Sequence, residues 1–247
     1  MAIVPHPDDE VFGLGGAWAR TAAAGGRSLL VTLTRGRGGR TLGLCLPREL
    51  GDVRERELRE AAARLGIGEL VLFDHHDFVP DDDRGVPRDP GLQALAPAAI
   101  ERELARTIDR AEPRALVTFG ANGSNGHPDH VATHRLVHGA LRRARHRPAA
   151  IYHYAATEPY DGPARPGFLA PERIRELHVP VSHRLVLTRD ELEAKLAAMA
   201  CHATQALSVL AFMKRLTGRL FEETFVRVDV DGRPVAADGG SLTVERL

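Results

Sequence analysis

Five short apolar runs, separated by stretches long enough for helices, constrain this chain more than any other feature. They are Met1 to Val4, Ser28 to Thr34, Glu69 to Phe73, Arg114 to Phe119 and Ala149 to Tyr154. Runs this short read as strands. Between them, Val11 to Ala24, Arg48 to Leu65, Ile100 to Ala111 and Val131 to Arg145 carry apolar residues at helical spacing, and the first two stop at Gly25-Gly26 and Gly66. Parallel neighbours need crossover connections, so this alternation predicts an α/β fold, a mostly parallel sheet flanked by helices. Beyond Ala155 the pattern changes to a Pro/Gly-rich segment from Glu158 to Pro171 and a strand near Val181 to Leu187. A helix opened by the capping box Thr188 to Glu191 then runs through His202, and a last strand spans Thr224 to Val230 before a Gly-rich tail. The expectation is one domain over 1–247, with a core at 1–155 and a small C-terminal α+β elaboration at 156–247.

Open parallel sheets bind ligands beyond the carboxyl ends of their strands, where strand order reverses. Two histidine–carboxylate clusters lie at such ends. His6-Pro7-Asp8-Asp9-Glu10 follows the first run, and His127-Pro128-Asp129-His130 follows the fourth. If those two strands are neighbours, the clusters form one site. A zinc-like ion takes nitrogen and oxygen ligands, about three of them from the protein at a catalytic centre. His6, Asp9 and His130 are the candidate metal ligands. Asp8 is the candidate base, a role that needs it within about 3 Å of a water. Glu10 would sit at the start of the next helix, where negative charge is favourable. His127 is open between a ligand, a structural histidine and a group that stabilises an oxyanion and protonates a leaving amine. Asp129 would orient His127 or another ring by a hydrogen bond.

Other polar groups have ordinary readings. His75-His76-Asp77 begins a loop, Asp74 to Pro90, and consecutive histidines in extended chain point oppositely. Arg54 and Glu57 are spaced as a solvated helical ion pair, and His202 and Gln205 share one helical face. His134 and His138 stand at i,i+4, but that helix offers them no carboxylate partner, so they read as structural. Lys plus Arg equals Asp plus Glu at 33 each, which argues against nucleic acid or an anionic membrane surface as partner. Two cysteines suit a reduced compartment, and no apolar run approaches the ~18 residues of a membrane span. These features together read as a soluble, cytoplasmic protein, and a homo-oligomer is compatible with them.

Pro5 to Glu10 together with Gly126 to His130 resemble the PIG-L/LmbE-like family of zinc-dependent N-deacetylases. Supporting matches are Thr34 and Gly36, Arg54-x-x-Glu57-Leu58, Asp77, Lys195, His202-Ala203-Thr204-Gln205 and Glu223-x-Phe225, so the resemblance covers roughly residues 1 to 225. It implies a Rossmann-like fold, a Zn²⁺ cofactor or similar divalent ion, and an amino-sugar conjugate of the N-acetylglucosamine type as substrate. It maps His6, Asp9 and His130 to the metal, Asp8 to the base and His127 to transition-state stabilisation. Arg54, Asp77, Asn125 and His202 map toward substrate. Asn125 stands where some relatives carry a tyrosine, and Arg37 where many carry an acidic residue. An amidase of a related thiol or sugar conjugate, a non-catalytic sugar-binding α/β domain and a phosphoesterase are the competing readings. The last is disfavoured because Mg²⁺ sites prefer oxygen ligands.

Overall fold

The computed structural model describes residues 1–80, 88–215 and 220–235. Part of the expected loop from Asp74 to Pro90, and the Gly-rich tail, lie outside the described residues. Strand β1 (Ala2–Val4) leads into a single turn, α1 (Asp9–Phe12), and then α2 (Gly15–Ala23). Strand β2 (Leu29–Thr34), α3 (Leu50–Arg64) and β3 (Glu69–His75) follow. Next come β4 (Phe78–Val79) and β5 (Asp89–Pro90), α4 (Pro97–Ala111), β6 (Ala115–Phe119), the short α5 (Gly123–Gly126), α6 (Pro128–Arg143) and β7 (Ala150–Tyr154). The C-terminal part holds α7 (Pro171–Glu176), β8 (His183–Val186), α8 (Arg189–Cys201), α9 (Ala206–Arg215) and β9 (Glu222–Val228).

Seven strands form one mixed sheet in the order β3-β2-β1-β6-β7-β9-β8, and β4 pairs with β5 separately. The pairs β2–β3, β1–β6 and β6–β7 are parallel, whereas β9 runs antiparallel to β7. The fold is therefore α/β and mostly parallel, as the alternation predicts, with its antiparallel part supplied by the C-terminal elaboration. Strand order reverses between β1 and β6. These are the two strands that precede the histidine clusters.

Several boundaries differ from the sequence expectation for physical reasons. The stretch from Val11 to Ala24 breaks at Gly13, because Asp9–Phe12 is a turn of its own and α2 starts only at Gly15. Gly16 lies against the Leu187 side chain, with no room for a Cβ between them. Helix α6 starts three residues earlier than its apolar period suggests, since His127 caps it and Pro128 fits its first position. The helix opened by Thr188 ends at Cys201, with His202 as its C-cap. Helices α5, α7, which begins where the Pro/Gly-rich segment ends, and α9, beyond that C-cap, escaped the periodicity.

The described residues pack as two compact units. One comprises residues 1–3, 78–80, 88–183 and 224–235. Its core includes Leu104, Ile108, Leu116, Val137 and Leu141, all fully buried. The other comprises residues 4–77, 184–215 and 220–223, with Val11, Leu30, Val31, Leu33, Leu58 and Ala61 fully buried. Every residue of β2 is buried, as an apolar strand covered on both faces requires. Truncating such a leucine to alanine costs about 2–5 kcal/mol. Among the described residues no single helix is long and apolar enough to cross a membrane.

Candidate functional site

The first cluster folds back on itself through its own carboxylates. Asp8 sits at φ 110°, ψ −25°, a left-handed conformation that costs a non-glycine residue on the order of 1–3 kcal/mol. Three contacts offset that strain. The His6 N–H donates to Asp9 Oδ2 (2.9 Å), the Asp8 N–H donates to Glu10 Oε2 (2.9 Å), and Arg54 donates to the Pro7 carbonyl. The neighbouring carboxylates thereby take different partners. Asp9 Oδ2 lies 3.4 Å from His6 Nδ1, whereas Asp8 Oδ1 lies 3.4 Å from the Arg54 guanidinium. Burial pushes the Asp8 carboxyl up to about 7, with Arg54 opposing the rise and Asp9 adding to it. Glu10 is fully buried and its Oε1 meets His202 Nε2 at 2.6 Å. Burial alone would lower the His202 pKa, but the charge and hydrogen bond of Glu10 raise it overall. His202 Nδ1 is buried with no hydrogen-bond partner.

The groups mapped toward substrate on this side are buried and held by protein partners. Arg54 is 4% exposed and donates to the Gly36 carbonyl (2.9 Å) as well as to Pro7. Gly36, at φ 67°, passes so close to that guanidinium that a Cβ would collide with it. Asp77, expected in a solvent-facing loop, is buried instead. Its oxygens accept the Arg37 N–H (2.9 Å) and the Gly38 N–H (2.6 Å), which fixes the loop after β2. Glu57 does not pair with Arg54 as a solvated ion pair; it is buried and accepts the Thr204 N–H (2.8 Å) and hydroxyl (2.6 Å). Gln205 Nε2 donates to the Arg40 carbonyl at 3.3 Å. The pattern His202-Ala-Thr-Gln205 thus anchors the segment after α8 to Glu10, Glu57 and Arg40. Sequence spacing showed only one shared helical face.

The second cluster is set by the end of β6 and the first turn of α6. The Asn122 side chain accepts the Ser124 N–H, and glycines 123 and 126 take positive φ, which turns the chain sharply into α6. His130 Nδ1 faces the Gly123 carbonyl at 3.1 Å. A carbonyl only accepts, so Nδ1 carries the proton and the lone pair stays on Nε2. His127 has the opposite arrangement. Its Nδ1 accepts the Asp129 N–H at 3.2 Å, so the neutral ring carries its proton on Nε2. Two rings 4.8 Å apart are therefore poised differently, one as a lone-pair donor and one as a hydrogen-bond donor.

The Asp129 backbone N–H thus sets the His127 tautomer. The carboxylate is fully buried, accepting the Phe78 N–H (2.7 Å) and the Leu92 N–H (2.9 Å). Those bonds hold Phe78 edge-on to His127, with ring centroids 5.7 Å apart. Phe168 stands 4.9 Å from His127 under the Arg165 guanidinium, and Phe119 packs 4.1 Å from His130. Sequence reading missed this aromatic wall, because its members come from separate elements. Asn125 accepts the His127 N–H on its side-chain oxygen (3.0 Å), and its carbonyl accepts from Arg165 (3.0 Å).

Each half fits a small transition-metal ion. Two ligands at ~2.0–2.1 Å from a tetrahedral ion lie about 3.4 Å apart. That is the separation of His6 Nδ1 from Asp9 Oδ2. His130 shows the ring N–H to carbonyl contact that metal-bound histidines make.

The family profile described as PIG-L, GlcNAc-PI de-N-acetylase, matches residues 1–141. A 1D-myo-inositol 2-acetamido-2-deoxy-alpha-D-glucopyranoside deacetylase of Nakamurella multipartita is 32% identical over 271 aligned positions, which cover 95% of this chain and 90% of the relative. Among solved structures, the N,N'-diacetylchitobiose deacetylase of Pyrococcus horikoshii aligns with a TM-score of 0.66 at 18% identity, covering 93% of this chain and 83% of its own. GalB, the 4-carboxy-2-hydroxymuconate hydratase of Pseudomonas putida KT2440, also gives 0.66, at 19% identity, covering 92% of this chain and 95% of its own. A deacetylase and a hydratase share this fold, so the chemistry has to be argued from the side chains.

Proposed function

Because the chain belongs to the PIG-L family, we propose that it is a metal-dependent hydrolase that removes an acetyl group from an N-acetylglucosamine-type conjugate. Its relative from Nakamurella multipartita is named for the deacetylation of such a conjugate with inositol. His6, Asp9 and His130 would hold one Zn²⁺ or a similar divalent ion. An ion so held lowers the pKa of water toward ~7 and polarises the amide carbonyl. Asp8, whose carboxylate lies beside the Arg54 guanidinium, takes the proton of the attacking water. His127 donates from Nε2 to the oxygen that gains negative charge, and the departing amine receives the proton that Asp8 took from the water. Arg54 holds Asp8, Glu10 and His202 brace the turn of the first cluster, and Asp77 fixes the loop after β2. Asn125 anchors the His127 backbone. These five act as positioning residues.

The opposed tautomers of His127 and His130 are the observation that carries this reading, since they divide ligand from hydrogen-bond donor within one cluster. The adjacency of β1 and β6 supports joining the two clusters into one centre. The test is acetate release by Zn²⁺-loaded protein from N-acetylglucosaminyl-inositol and from N,N'-diacetylchitobiose, with metal content measured in parallel. Acetate release that is lost with bound metal in His6→Ala and His130→Ala is the expected result. Release of a longer carboxylic acid from a thiol conjugate, without acetate, would make the protein an amidase. Sugar binding without turnover would make it a binding domain.

A further inference from the structure

We propose that His134, His138 and His153 form a second transition-metal site, separate from the cluster that contains His130. His134 and His138 lie one turn apart on α6, and His153 faces them from β7. One ring nitrogen from each lies within 4.8 Å of the others, and the ring centroids are 4.7, 5.0 and 5.1 Å apart. Two ligands of one tetrahedral ion need to be about 3.4 Å apart, a gap that small rotations of the rings close. Three imidazoles suit Zn²⁺, Co²⁺, Ni²⁺ or Cu²⁺ and not Mg²⁺ or Ca²⁺.

The surroundings prepare the rings for a cation. His138 Nδ1 faces the Val230 carbonyl at 2.9 Å, and His134 Nδ1 faces the Phe119 carbonyl at 3.2 Å. Both carbonyls accept only, so both rings carry their proton on Nδ1 and present a lone pair at Nε2. This is the contact by which metal-bound histidines are oriented. His153 Nε2 lies 2.8 Å from His138 Nε2, so without an ion those two nitrogens share a proton. Moving that proton to His153 Nδ1 frees the third lone pair at no change in charge. Gly232, at φ 79°, closes the site from the segment after β9. A Cβ there would stand 3.0 Å from His138 Nε2, so the glycine keeps open the space an ion would take. Asp229 and Asp231 add negative charge beside His138, against the positive charge of Arg142. Burial, together with the neighbouring histidines, holds His134 at about 4 and His153 at about 2, so these rings are neutral near pH 7 and need not lose protons to bind.

Such an ion would tie α6, β7 and the segment after β9 together. Phe119 connects this cluster to the other one, with its carbonyl on His134 and its ring on His130.

The test separates the two sites by variants. In metal-stripped His6→Ala/His130→Ala protein, titration with Co²⁺ should still show about one equivalent bound, read from visible d–d absorption and from metal analysis after desalting. Adding His138→Ala should abolish that equivalent. His134→Gln, which alters a partly exposed ring on the helix, provides the same test where the buried change prevents folding, and circular dichroism checks the fold of each. Absence of Co²⁺ binding in the folded His6→Ala/His130→Ala protein would overturn the proposal. So would binding that persists unchanged when His134 is replaced. Neither result bears on acetate release, so this site and the proposed hydrolase centre stand or fall separately.

Discussion

The Arg54 guanidinium lies 3.4 Å from Asp8 Oδ1 while donating to the carbonyls of Pro7 and Gly36, so one side chain from α3 holds both the carboxylate and the turn that carries it. Both residues are buried, and removing one partner of a buried pair typically costs about 3–5 kcal/mol, because the other charge is left uncompensated. Arg54→Met should therefore lower stability by that order in urea unfolding and abolish turnover. Arg54→Lys keeps the charge but has no fork for two carbonyls, and should lose at least about tenfold in turnover. A lysine variant with full activity would show that charge alone, without the fork, is enough.

The diverging carboxylates of the first cluster predict two distinct defects. Asp8→Asn should keep its metal and lose on the order of 10²-fold or more in turnover, as expected when a general base is removed. Asp9→Asn should lose metal as well, since Asp9 Oδ2 lies 3.4 Å from His6 Nδ1. Metal analysis of the two purified variants decides the matter. If Asp8→Asn loses the ion while Asp9→Asn keeps it, the roles are exchanged.

His127 offers a kinetic test. Its Nε2 proton follows from the Asp129 N–H at Nδ1, and Asn125 is engaged with the His127 backbone, with no phenol at that position to share the work. His127→Ala should reduce kcat by roughly 10²-fold or more and leave KM and metal content nearly unchanged. A loss confined to KM would make His127 a substrate anchor.

The Arg20–Glu191 pair links stability to pH. Arg20 donates to both Glu191 oxygens, at 2.6 and 2.7 Å, and this hydrogen bonding holds the Glu191 pKa below its usual value. A carboxylate with a lowered folded pKa stabilises above its unfolded pKa of about 4.5, and that contribution is lost as pH falls through the folded value. Glu191→Gln should therefore be less stable than the parent at pH 7 by about 0.5–1 kcal/mol, and the gap should close in urea melts below pH 4. A gap independent of pH would assign the loss to the helix cap at Thr188 instead.

Much of the fold was legible because periodicity and glycine stops report local structure directly. The five parallel strands, the helix stop at Gly66 and the capping box at Thr188 all came from neighbours in sequence. The position of the two clusters at strand ends was also legible from strand alternation, whereas the adjacency of β1 and β6 entered only as a condition that the sheet order meets. What remained hidden depends on pairs far apart in the chain. Glu10 with His202, Glu57 with Thr204 and Asp129 with Phe78 and Leu92 join residues between 37 and 192 positions apart. Asp129 shows this well: the partners of its carboxylate, the Phe78 and Leu92 N–H groups, come from separate elements. His134 and His138 find no carboxylate partner on their own helix, and the ring that faces them, His153, arrives from β7.

Lys195 and Glu223 give the last prediction. Neither side chain has any exposure, and Lys195 Nζ meets Glu223 Oε1 at 2.8 Å. Glu223 also accepts the Gly16 N–H (2.8 Å) and the Ala17 N–H (2.9 Å) in the first turn of α2, where N–H groups lack helical partners. The Lys195 stem fills the space beside Gly15 that a Cβ would occupy. Lys195→Met keeps that stem but strands the carboxylate, and should cost about 3–5 kcal/mol. Adding Glu223→Gln removes the stranded charge while its amide oxygen still accepts one helix N–H. The double variant should therefore be more stable than Lys195→Met alone, an order unusual for a second substitution in a core. Urea unfolding of the parent, Lys195→Met, Glu223→Gln alone and the double variant measures the coupling. If the double variant is instead the least stable of the four, Glu223 acts chiefly as the acceptor for α2, and the charge pairing with Lys195 is secondary.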